Sequence, residues 1–314
     1  MKCLVSGATG FVGRQLCQQL AARGDSVVAL SRSGATLATG APTLALDLAV
    51  HDPAVELLQG VDVVFHLAGI AHQRAQESAY QQLNYQATLR LARQAAAAGV
   101  KCFVFLSSVK AMGAPGSGQV RSEQDCILPV DAYGLSKWQA ECALREEFSS
   151  AAMSVVILRP ALIYGANAKG NLTRLATAVR RGLPRPPEQG ARSMLALQDL
   201  VDLLTVVAIS PVPGVHTWIA CGDRPYSTRN LYDLLRPAAG KGRGISWLPH
   251  WAWRLGAALL DLASGNAGDA TYDKLFGTEL YSSAAVQAGL DWRPVCQLED
   301  VINHMVAGGE GLDS

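Results

Sequence analysis

Residues 2–13 are KCLVSGATGFVG, a short apolar run followed by three glycines at intervals of three residues. The apolar run predicts a strand, and the residues after the last glycine predict a helix. Gly7 permits the tight turn, Gly10 lets a pyrophosphate approach the backbone, and Gly13 lets the helix pack close to the strand. The free N–H groups at the helix N-terminus favour a phosphate there. We therefore expect these cofactor-binding residues in the turn: Gly7, Gly10, Phe11, Val12 and Gly13.

The first 165 residues alternate short apolar runs with helical patterns. The runs are continuously apolar, which is typical of strands buried on both faces of a parallel sheet. The alternation of strands and helices indicates the α/β class. The predicted strands are Cys3–Ser6, Ser26–Leu30, Val61–Leu67, Phe103–Ser108 and Val155–Leu158. The predicted helices are Phe11–Arg23, Ser78–Ala98 and Tyr133–Phe148.

After Gly165 helical patterns dominate, and proline-rich breaks interrupt them. We expect residues 1–165 to form the nucleotide-binding domain and residues 166–314 to form mainly a smaller substrate-binding lobe. A segment near residues 194–220 is expected to return to the first domain. The run from Trp247 to Ala263 predicts an amphipathic helix packed on the protein, with a role at a membrane surface as the alternative.

Composition excludes several classes of function. The 314 residues carry a net charge of +1, so a nucleic-acid partner, which needs a basic stripe, is not expected. No secretory signal and no apolar run of bilayer-spanning length is present, which indicates a cytoplasmic protein without an integral membrane segment. The seven cysteines form no CxxC pair and no metal-ligand spacing. We predict buried thiols in a reducing compartment and no metal site.

Tyr133 and Lys137 are four residues apart on a predicted helix, and Ser108 ends the predicted strand Phe103–Ser108. Residues at i and i+4 share one helix face, so the ammonium would lie close to the phenol and favour the phenolate. Tyr133 is then suited to proton transfer with a carbonyl or hydroxyl, and Ser108 to a hydrogen bond with the reacting oxygen. We predict that these three residues are catalytic.

The end of the second strand bears on the choice of nicotinamide cofactor. NAD sites usually place a carboxylate there for the ribose 2′-hydroxyl, but the sequence has Ser31-Arg32-Ser33. A guanidinium and hydroxyls suit a 2′-phosphate, so NADP(H) is predicted over NAD(H). The alternative is that Arg32 is a solvated loop residue or stacks on adenine.

Two further segments are expected at the cofactor. Asp47 and Leu48 can border the adenine. A plain turn or helix-cap role is the alternative for Asp47. The other segment lies at the end of the predicted strand Val61–Leu67, where the backbone must approach the dinucleotide closely. Its residues are Leu67, Ala68 and Gly69.

Five motifs together resemble the extended branch of the short-chain dehydrogenase/reductase superfamily, which contains nucleotide-sugar epimerases, dehydratases and reductases. They are SGATGFVG, VVFHLAG, FVFLSSVKAMG, YGLSK and RPALIYG. The resemblance covers nearly the whole chain. It implies a Rossmann-type doubly wound parallel sheet with a smaller C-terminal sugar-nucleotide-binding lobe, and a homodimer that pairs through the Tyr133–Phe148 helix.

The resemblance also implies individual roles. Asn84, Tyr133, Pro160 and Ile163 would lie at the cofactor, and Lys137 would bind the nicotinamide ribose. Asn171, Leu172 and Arg192 would hold the sugar diphosphate. Direct sugar contacts are expected from a further set: His72, Ser108, Lys110 and Tyr133. A histidine without a role is an equally good interpretation of His72, and a surface charge is the alternative for Arg192.

Residues 275–302 resemble the end of bacterial surface-polysaccharide reductases that act on UDP-4-keto-6-deoxy-N-acetylhexosamines. Dehydratases carry an Asp-Glu pair where Val109-Lys110 stand, and many epimerases carry a tyrosine where Met112 stands. The leading expectation is therefore NADPH-dependent reduction of a C4 keto group in O-antigen biosynthesis. The alternatives are an NAD-dependent UDP-hexose or UDP-N-acetylhexosamine 4-epimerase and a non-enzymatic NADP-binding sensor.

Overall fold

A parallel sheet organises the protein, whose computed structural model describes residues 1–71, 75–114, 118–166, 171–264 and 270–307. The strands in this part of the chain are β1 (Lys2–Ser6), β2 (Ser26–Ser31), β3 (Leu44–Ala45), β4 (Val63–His66), β5 (Cys102–Leu106), β6 (Val120–Arg121), β7 (Ser154–Pro160), β8 (Leu162–Tyr164), β9 (Met194–Ala196), β10 (Val215–Ala220) and β11 (Leu280–Tyr281).

The same ranges contain helices of four to seventeen residues. They are α1 (Phe11–Ala22), α2 (Val55–Leu58), α3 (Glu77–Tyr80), α4 (Ala87–Ala97), α5 (Ala132–Phe148), α6 (Asn171–Arg180), α7 (Leu197–Ile209), α8 (Thr228–Ala238), α9 (His250–Ser264), α10 (Ala270–Phe276), α11 (Ala284–Gly289) and α12 (Leu298–Ala307). A π-helical segment, Gln81–Gln86, joins α3 to α4, and a 3₁₀ turn, Val109–Met112, follows β5.

The central sheet has seven strands in the order β10-β7-β5-β4-β1-β2-β3, and every pairing is parallel. Ser6 pairs with Leu30 on one side and with His66 on the other, so β1, β2 and β4 end at the same edge. The chain order reverses between β1 and β4, which makes this edge the position where such folds bind ligands. The predicted α/β class and parallel sheet are confirmed.

Both faces of the sheet are buried. Cys3, Val5 and Val104 face the core shared with α1 and α7. Leu4 and Phe103 face the core shared with α4 and α5. The side chains of consecutive strand residues thus point into cores on opposite faces of the sheet. This arrangement explains why the strands are apolar at successive positions rather than at every second one.

The later half of the chain returns to the sheet, where β10 pairs with β7. A separate core lies between α6, α8 and α12, with Leu231, Tyr232 and Leu298 among its buried residues. The division of the chain at residue 165 stays a prediction. Among the described residues, no helix combines the length and apolarity needed to cross a bilayer.

Strand ends differ from the predictions for local reasons. β5 ends at Leu106 rather than Ser108, because the Ser108 hydroxyl accepts a hydrogen bond from the Lys110 amide and begins the 3₁₀ turn. β4 begins at Val63 rather than Val61, whose amide donates to the Leu58 carbonyl in a turn. The π-helical segment was not predicted, since apolar spacing does not distinguish one wide turn within a helix.

Gly13 should not tolerate a side chain. A Cβ atom there would lie 2.2 Å from the Gly7 carbonyl oxygen and 2.9 Å from the Ala8 Cα. Both neighbours are backbone atoms of the turn, so Gly13→Ala must displace β1 from α1. We expect urea denaturation to show a loss of about 1–3 kcal/mol in the free energy of unfolding, together with weaker dinucleotide binding.

Gly256→Ala is the matched control, because a Cβ at Gly256 meets no atom within 4 Å. It lies inside α9, so alanine should be neutral or stabilising by up to about 1 kcal/mol. An unchanged stability and dinucleotide affinity in Gly13→Ala would contradict the close packing of the turn.

Candidate active site

The turn between β1 and α1, which contains Gly7 and Gly10, packs closely against the residues that follow β4. Gly7 has φ +70°, and a Cβ there would lie 2.8 Å from the Ala68 amide nitrogen. Gly10 is the N-cap of α1, has extended backbone angles and provides no side-chain cap. The first turn of α1 contains no acidic residue. The N–H groups of this turn are therefore directed at the ligand edge without a competing carboxylate, which suits a pyrophosphate.

The predicted catalytic residues lie together at the same edge. Ser108 is the second residue after β5 and hydrogen bonds the phenol of Tyr133, which is in the first turn of α5. The Asp131 carboxylate accepts from the Gly134 amide at 2.8 Å and fixes the start of this helix. Lys137 lies one turn further on and is buried, and its Nζ donates to the Leu106 carbonyl at 2.9 Å.

The electrostatics differ from the expectation that the ammonium favours the phenolate. Burial raises the pKa of Tyr133 to about 12, and the hydrogen bond with Ser108 offsets only part of this effect. Burial lowers the pKa of Lys137 to about 7. The Lys137 ammonium contacts the Leu106 carbonyl and lies 4.4 Å from the centre of the Phe105 ring, so its hydrogen bond does not go to the phenol. Tyr133 is consequently a proton donor at neutral pH.

Asn84 connects the loop after β4 to the catalytic helix. Its fully buried side chain accepts from the Ile70 amide at 2.9 Å and donates to the Ile70 carbonyl and the Ser136 hydroxyl at 3.1 Å each. A Cβ on Gly69 would lie 3.0 Å from Asn84 Oδ1 and 3.3 Å from Lys137 Nζ. The structure thus brings together three predicted cofactor residues from three separate segments.

A buried ion pair that the sequence analysis missed lies behind the site. Glu141, one turn after Lys137, accepts from Arg159 Nε at 3.0 Å and Nη2 at 2.5 Å. It also accepts from the Ser107 hydroxyl at 2.5 Å. The spacing of four residues after Lys137, and an arginine just before a proline, were the available signals. The pair fixes α5 against β5 and β7.

His66 is a second buried group that the sequence analysis did not single out. One ring nitrogen contacts the Ser6 hydroxyl at 2.7 Å, and the other contacts the Thr88 hydroxyl at 2.9 Å. Burial lowers the pKa of His66 to about 3, which keeps the ring neutral. This chain of hydrogen bonds joins the end of β1, the end of β4 and α4 just below the glycine turn.

At the ribose end, Arg32 and Ser33 are exposed, but the buried Ser31 hydroxyl is bonded to the Thr43 hydroxyl at 2.7 Å. The Asp47 carboxylate accepts from the Ala49 amide at 3.0 Å, which matches the turn role that the sequence left open. Leu48 is buried. Arg32 and Ser33 are therefore the groups at this strand end that are open to a ligand.

The remaining predicted cofactor residues flank the edge. Leu67 follows β4 and is half-buried, with its amide donating to the Ser6 carbonyl at 3.2 Å. Pro160 ends β7 and is buried. Ile163 lies in β8 and packs against the core that contains Val12.

A pocket in the second half of the chain is lined by two of the predicted substrate residues, Leu172 and Arg192. Lys274, which the sequence analysis missed, lines the same pocket. Arg192 donates to the Asp273 carbonyl at 2.6 Å and pairs with Glu279 at 3.2 Å. Glu279 also pairs with Lys110 at 3.3 Å.

Glu279 therefore connects two predicted substrate residues, Lys110 and Arg192, that are 82 positions apart in the chain. Of the residues that line the pocket, Arg192 and Lys274 are cations, and Arg192 is paired with Glu279. Such a pocket is suited to a diphosphate. His72 lies outside the described residues, as does the side chain of Asn171, whose backbone begins α6.

The model of the NAD dependent epimerase/dehydratase family matches residues 3–214. The chain belongs to this family. It is accordingly an NAD(P)-dependent oxidoreductase, and the resemblance drawn from the motifs is confirmed.

Two curated relatives match most of the chain. A UDP-glucose 4-epimerase of Vibrio cholerae is 30% identical over 308 residues, which are 95% of this chain and 92% of that protein. An N-acetyl-alpha-D-glucosaminyl-diphospho-ditrans,octacis-undecaprenol 4-epimerase of Escherichia coli O157:H7 is 30% identical over 272 residues, 84% of this chain and 80% of that protein.

Among solved structures, MoeE5 in complex with UDP-glucuronic acid and NAD is similar, with a TM-score of 0.79. It is 24% identical, and the match covers 99% of each chain. This similarity shows that the whole chain, and not only the sheet, shares the fold.

Tyr133→Phe should abolish proton transfer and leave the dinucleotide site intact, because only the hydroxyl beside Ser108 is removed. We expect turnover in a sugar-nucleotide assay to fall by about 10²–10⁴-fold, while fluorescence titration shows unchanged NADPH affinity. Tyr85→Phe is the control, since Tyr85 packs against the core shared with α4 and α5 and interacts electrostatically with Arg93. Near-normal turnover in Tyr133→Phe would contradict the assignment.

Lys137 should make stability depend on pH. Burial lowers its pKa to about 7 in the folded protein, whereas an unfolded lysine titrates near about 10.4. Between these values the unfolded chain binds more protons, so stability rises with pH, by up to about 1.4 kcal/mol per pH unit. Lys137→Met removes this titration and keeps an apolar stem.

The measurement is urea denaturation of both proteins without added nucleotide, between about pH 7.5 and 9.5. We expect the free energy of unfolding to rise more steeply with pH in the wild type than in Lys137→Met. Parallel curves would show that the Lys137 ammonium is not buried in the folded state.

Proposed function

We propose that the protein transfers a hydride from NADPH to the C4 keto group of a hexose linked to a diphosphate. The favoured substrate is a UDP-4-keto-6-deoxy-N-acetylhexosamine. The observation that carries the proposal is the arrangement of Ser108, Tyr133 and Lys137 at the ligand edge of the sheet.

The residues of the chain account for the proton half of the reaction. A bound reduced nicotinamide supplies the hydride to C4. Tyr133 gives its proton to the developing C4 oxygen, while the Ser108 hydroxyl hydrogen bonds that oxygen. The raised pKa of Tyr133, about 12, keeps the phenol protonated and able to donate across the neutral and mildly alkaline range. Lys137 lies where it can hold the nicotinamide ribose.

The charges in the pocket of the later half of the chain support a substrate that carries a diphosphate. Arg192 and Lys274 line one pocket with Leu172, and these cations suit the diphosphate of a UDP-sugar. The acidic pair of dehydratases is replaced by Val109-Lys110, and Lys110 is paired with Glu279. Elimination from C6 therefore has no carboxylate at this position to assist it.

A 4-epimerase of a UDP-hexose or UDP-N-acetylhexosamine is the second candidate. It is favoured by the Vibrio cholerae relative, which is named a UDP-glucose 4-epimerase and matches 95% of this chain. The Escherichia coli relative is named for a sugar diphosphate on undecaprenol, so a lipid carrier is the alternative to UDP. We further propose a cytoplasmic homodimer that pairs through α5, and a role in the biosynthesis of surface polysaccharide such as O-antigen.

Cofactor stoichiometry distinguishes the two candidates. With NADPH and a panel of UDP-4-keto sugars, a reductase should consume one NADPH for each sugar that is reduced. The consumption is measured as the loss of absorbance of the reduced nicotinamide. An epimerase should interconvert C4 epimers of UDP-hexoses without net change in cofactor. Interconversion together with an unchanged absorbance on every keto sugar would reject reduction. Tyr133→Phe is the blank for both assays.

Arg32→Ala should weaken binding of NADPH but not of NADH, because Arg32 is exposed at the end of β2, where no carboxylate is present. A hydrogen bond with a charged group contributes about 1.5–3 kcal/mol, or roughly 10–100-fold in affinity. Arg23→Ala is the control, since Arg23 pairs with Asp25 at the opposite edge of the sheet. Wild-type protein that binds NADH as tightly as NADPH would overturn the preference for NADP(H).

A further inference from the structure

The exposed side of α9 is apolar, and its acidic group is turned inward. Trp253, Ala257 and Asp261, at intervals of four residues, form the buried side of the helix. The Asp261 carboxylate accepts hydrogen bonds from the Thr271 hydroxyl at 2.6 Å and from the Thr271 amide at 2.9 Å. This pattern is the reverse of the usual surface helix, which turns its charged residues outward.

Large apolar side chains cover the exposed side. Trp251 is 68% exposed, Leu255 54%, Leu259 59% and Leu262 80%. Their spacing of three to four residues places them on one stripe of the helix. Ile245 and Trp247, in the segment just before α9, are also exposed, at 74% and 70%. A continuous stripe of this kind indicates a surface that is covered by a partner.

The segment before α9 is held in place, so the exposure of its side chains is not a property of a loose loop. The Ile245 carbonyl accepts from the Arg185 amide at 3.3 Å. The Ser246 hydroxyl accepts from Arg229 at 3.4 Å. Below the helix, Trp253 packs edge-on against Phe276 at 5.8 Å.

The chain segment that carries the stripe has mainly positive charges. Between Ala239 and Ser264 the cationic residues are Lys241, Arg243 and Arg254, and the only acidic residue is the buried Asp261. Lys241 donates to the Arg180 carbonyl, which places the end of α6 and its arginine beside this segment. Leucines in the middle, tryptophans at one end and surrounding cations are the features of a helix that lies in the interface of an anionic membrane.

We propose that α9, with Ile245 and Trp247, docks the protein on the surface of an anionic phospholipid bilayer. The helix lies along the surface, because fifteen residues give a length of about 22 Å, which is shorter than the hydrocarbon core. Its neighbour α10 carries Lys274, which lines the pocket that contains Arg192. The docked enzyme thus holds its substrate pocket one helix away from the lipid. The proposal is independent of the sugar and of the direction of hydride transfer.

Vesicle flotation of the full chain tests the proposal. Wild-type protein should float with vesicles of phosphatidylethanolamine and phosphatidylglycerol. It should remain in the bottom fraction when the vesicles are made of phosphatidylcholine alone. Leu255→Ser/Leu259→Ser should lower the bound fraction at least about tenfold. Ile209→Ser/Val295→Ser removes two exposed apolar side chains elsewhere, 52% and 73% exposed, and should float like the wild type.

Fluorescence keeps the test decisive if the serine variant fails to fold. Brominated lipid in the anionic vesicles should quench wild-type tryptophan emission, and Trp247→Phe/Trp251→Phe should float normally while losing that quenching. Equal flotation of Leu255→Ser/Leu259→Ser and wild type, or equal flotation on phosphatidylcholine, would overturn the proposal. So would a wild-type dimer that becomes monomeric in the serine variant without any binding to vesicles, since a second copy would then cover the stripe.

Discussion

The carboxylate of Glu141 fixes the position of α5, the helix that carries Tyr133. It is completely buried, and it is neutralised by Arg159 from β7 and by a hydrogen bond from Ser107 at the end of β5. A buried pair of this kind gains little net stability, but losing one partner typically costs about 3–5 kcal/mol. The helix therefore has one defined position relative to the sheet, and Ser108 and Tyr133 meet because of it.

The same helix buries a second charge. Lys137 lies one turn before Glu141, against the Leu106 carbonyl and the Phe105 ring. Burial disfavours both the ammonium of Lys137 and the phenolate of Tyr133. Tyr133 is therefore a protonated phenol at neutral pH, and Lys137 loses its proton far more readily than a free lysine does.

The substrate side is organised by a different carboxylate. Glu279 joins Lys110 from the turn after the catalytic serine to Arg192 from the strand region before β9. This connection links the nucleotide-binding sheet to the pocket in the later half of the chain. On the far side of that pocket, α10 carries Lys274 and packs against α9, whose outer side bears the apolar stripe. The predicted cofactor edge, this pocket and the apolar stripe therefore follow one another across the molecule.

The sequence by itself determined the parallel sheet, the glycine turn, the order of the strands' apolar runs and the identity of Ser108, Tyr133 and Lys137 as neighbours. These features follow from local periodicity and from the rule that parallel strands end at one edge. It did not reveal Glu141, His66 or Glu279, whose partners are distant in the chain. Glu141 is 18 residues from Arg159, and Glu279 is 169 residues from Lys110.

Only the tertiary structure decided the pKa values of Tyr133 and Lys137 and the direction that α9 faces. A pKa depends on burial, which no spacing of residues encodes. The apolar spacing of α9 predicts a helix but not which side meets the protein. In the structure Trp253, Ala257 and Asp261 lie on the inner side, where the Asp261 carboxylate accepts hydrogen bonds from Thr271, and the leucines lie on the outer side.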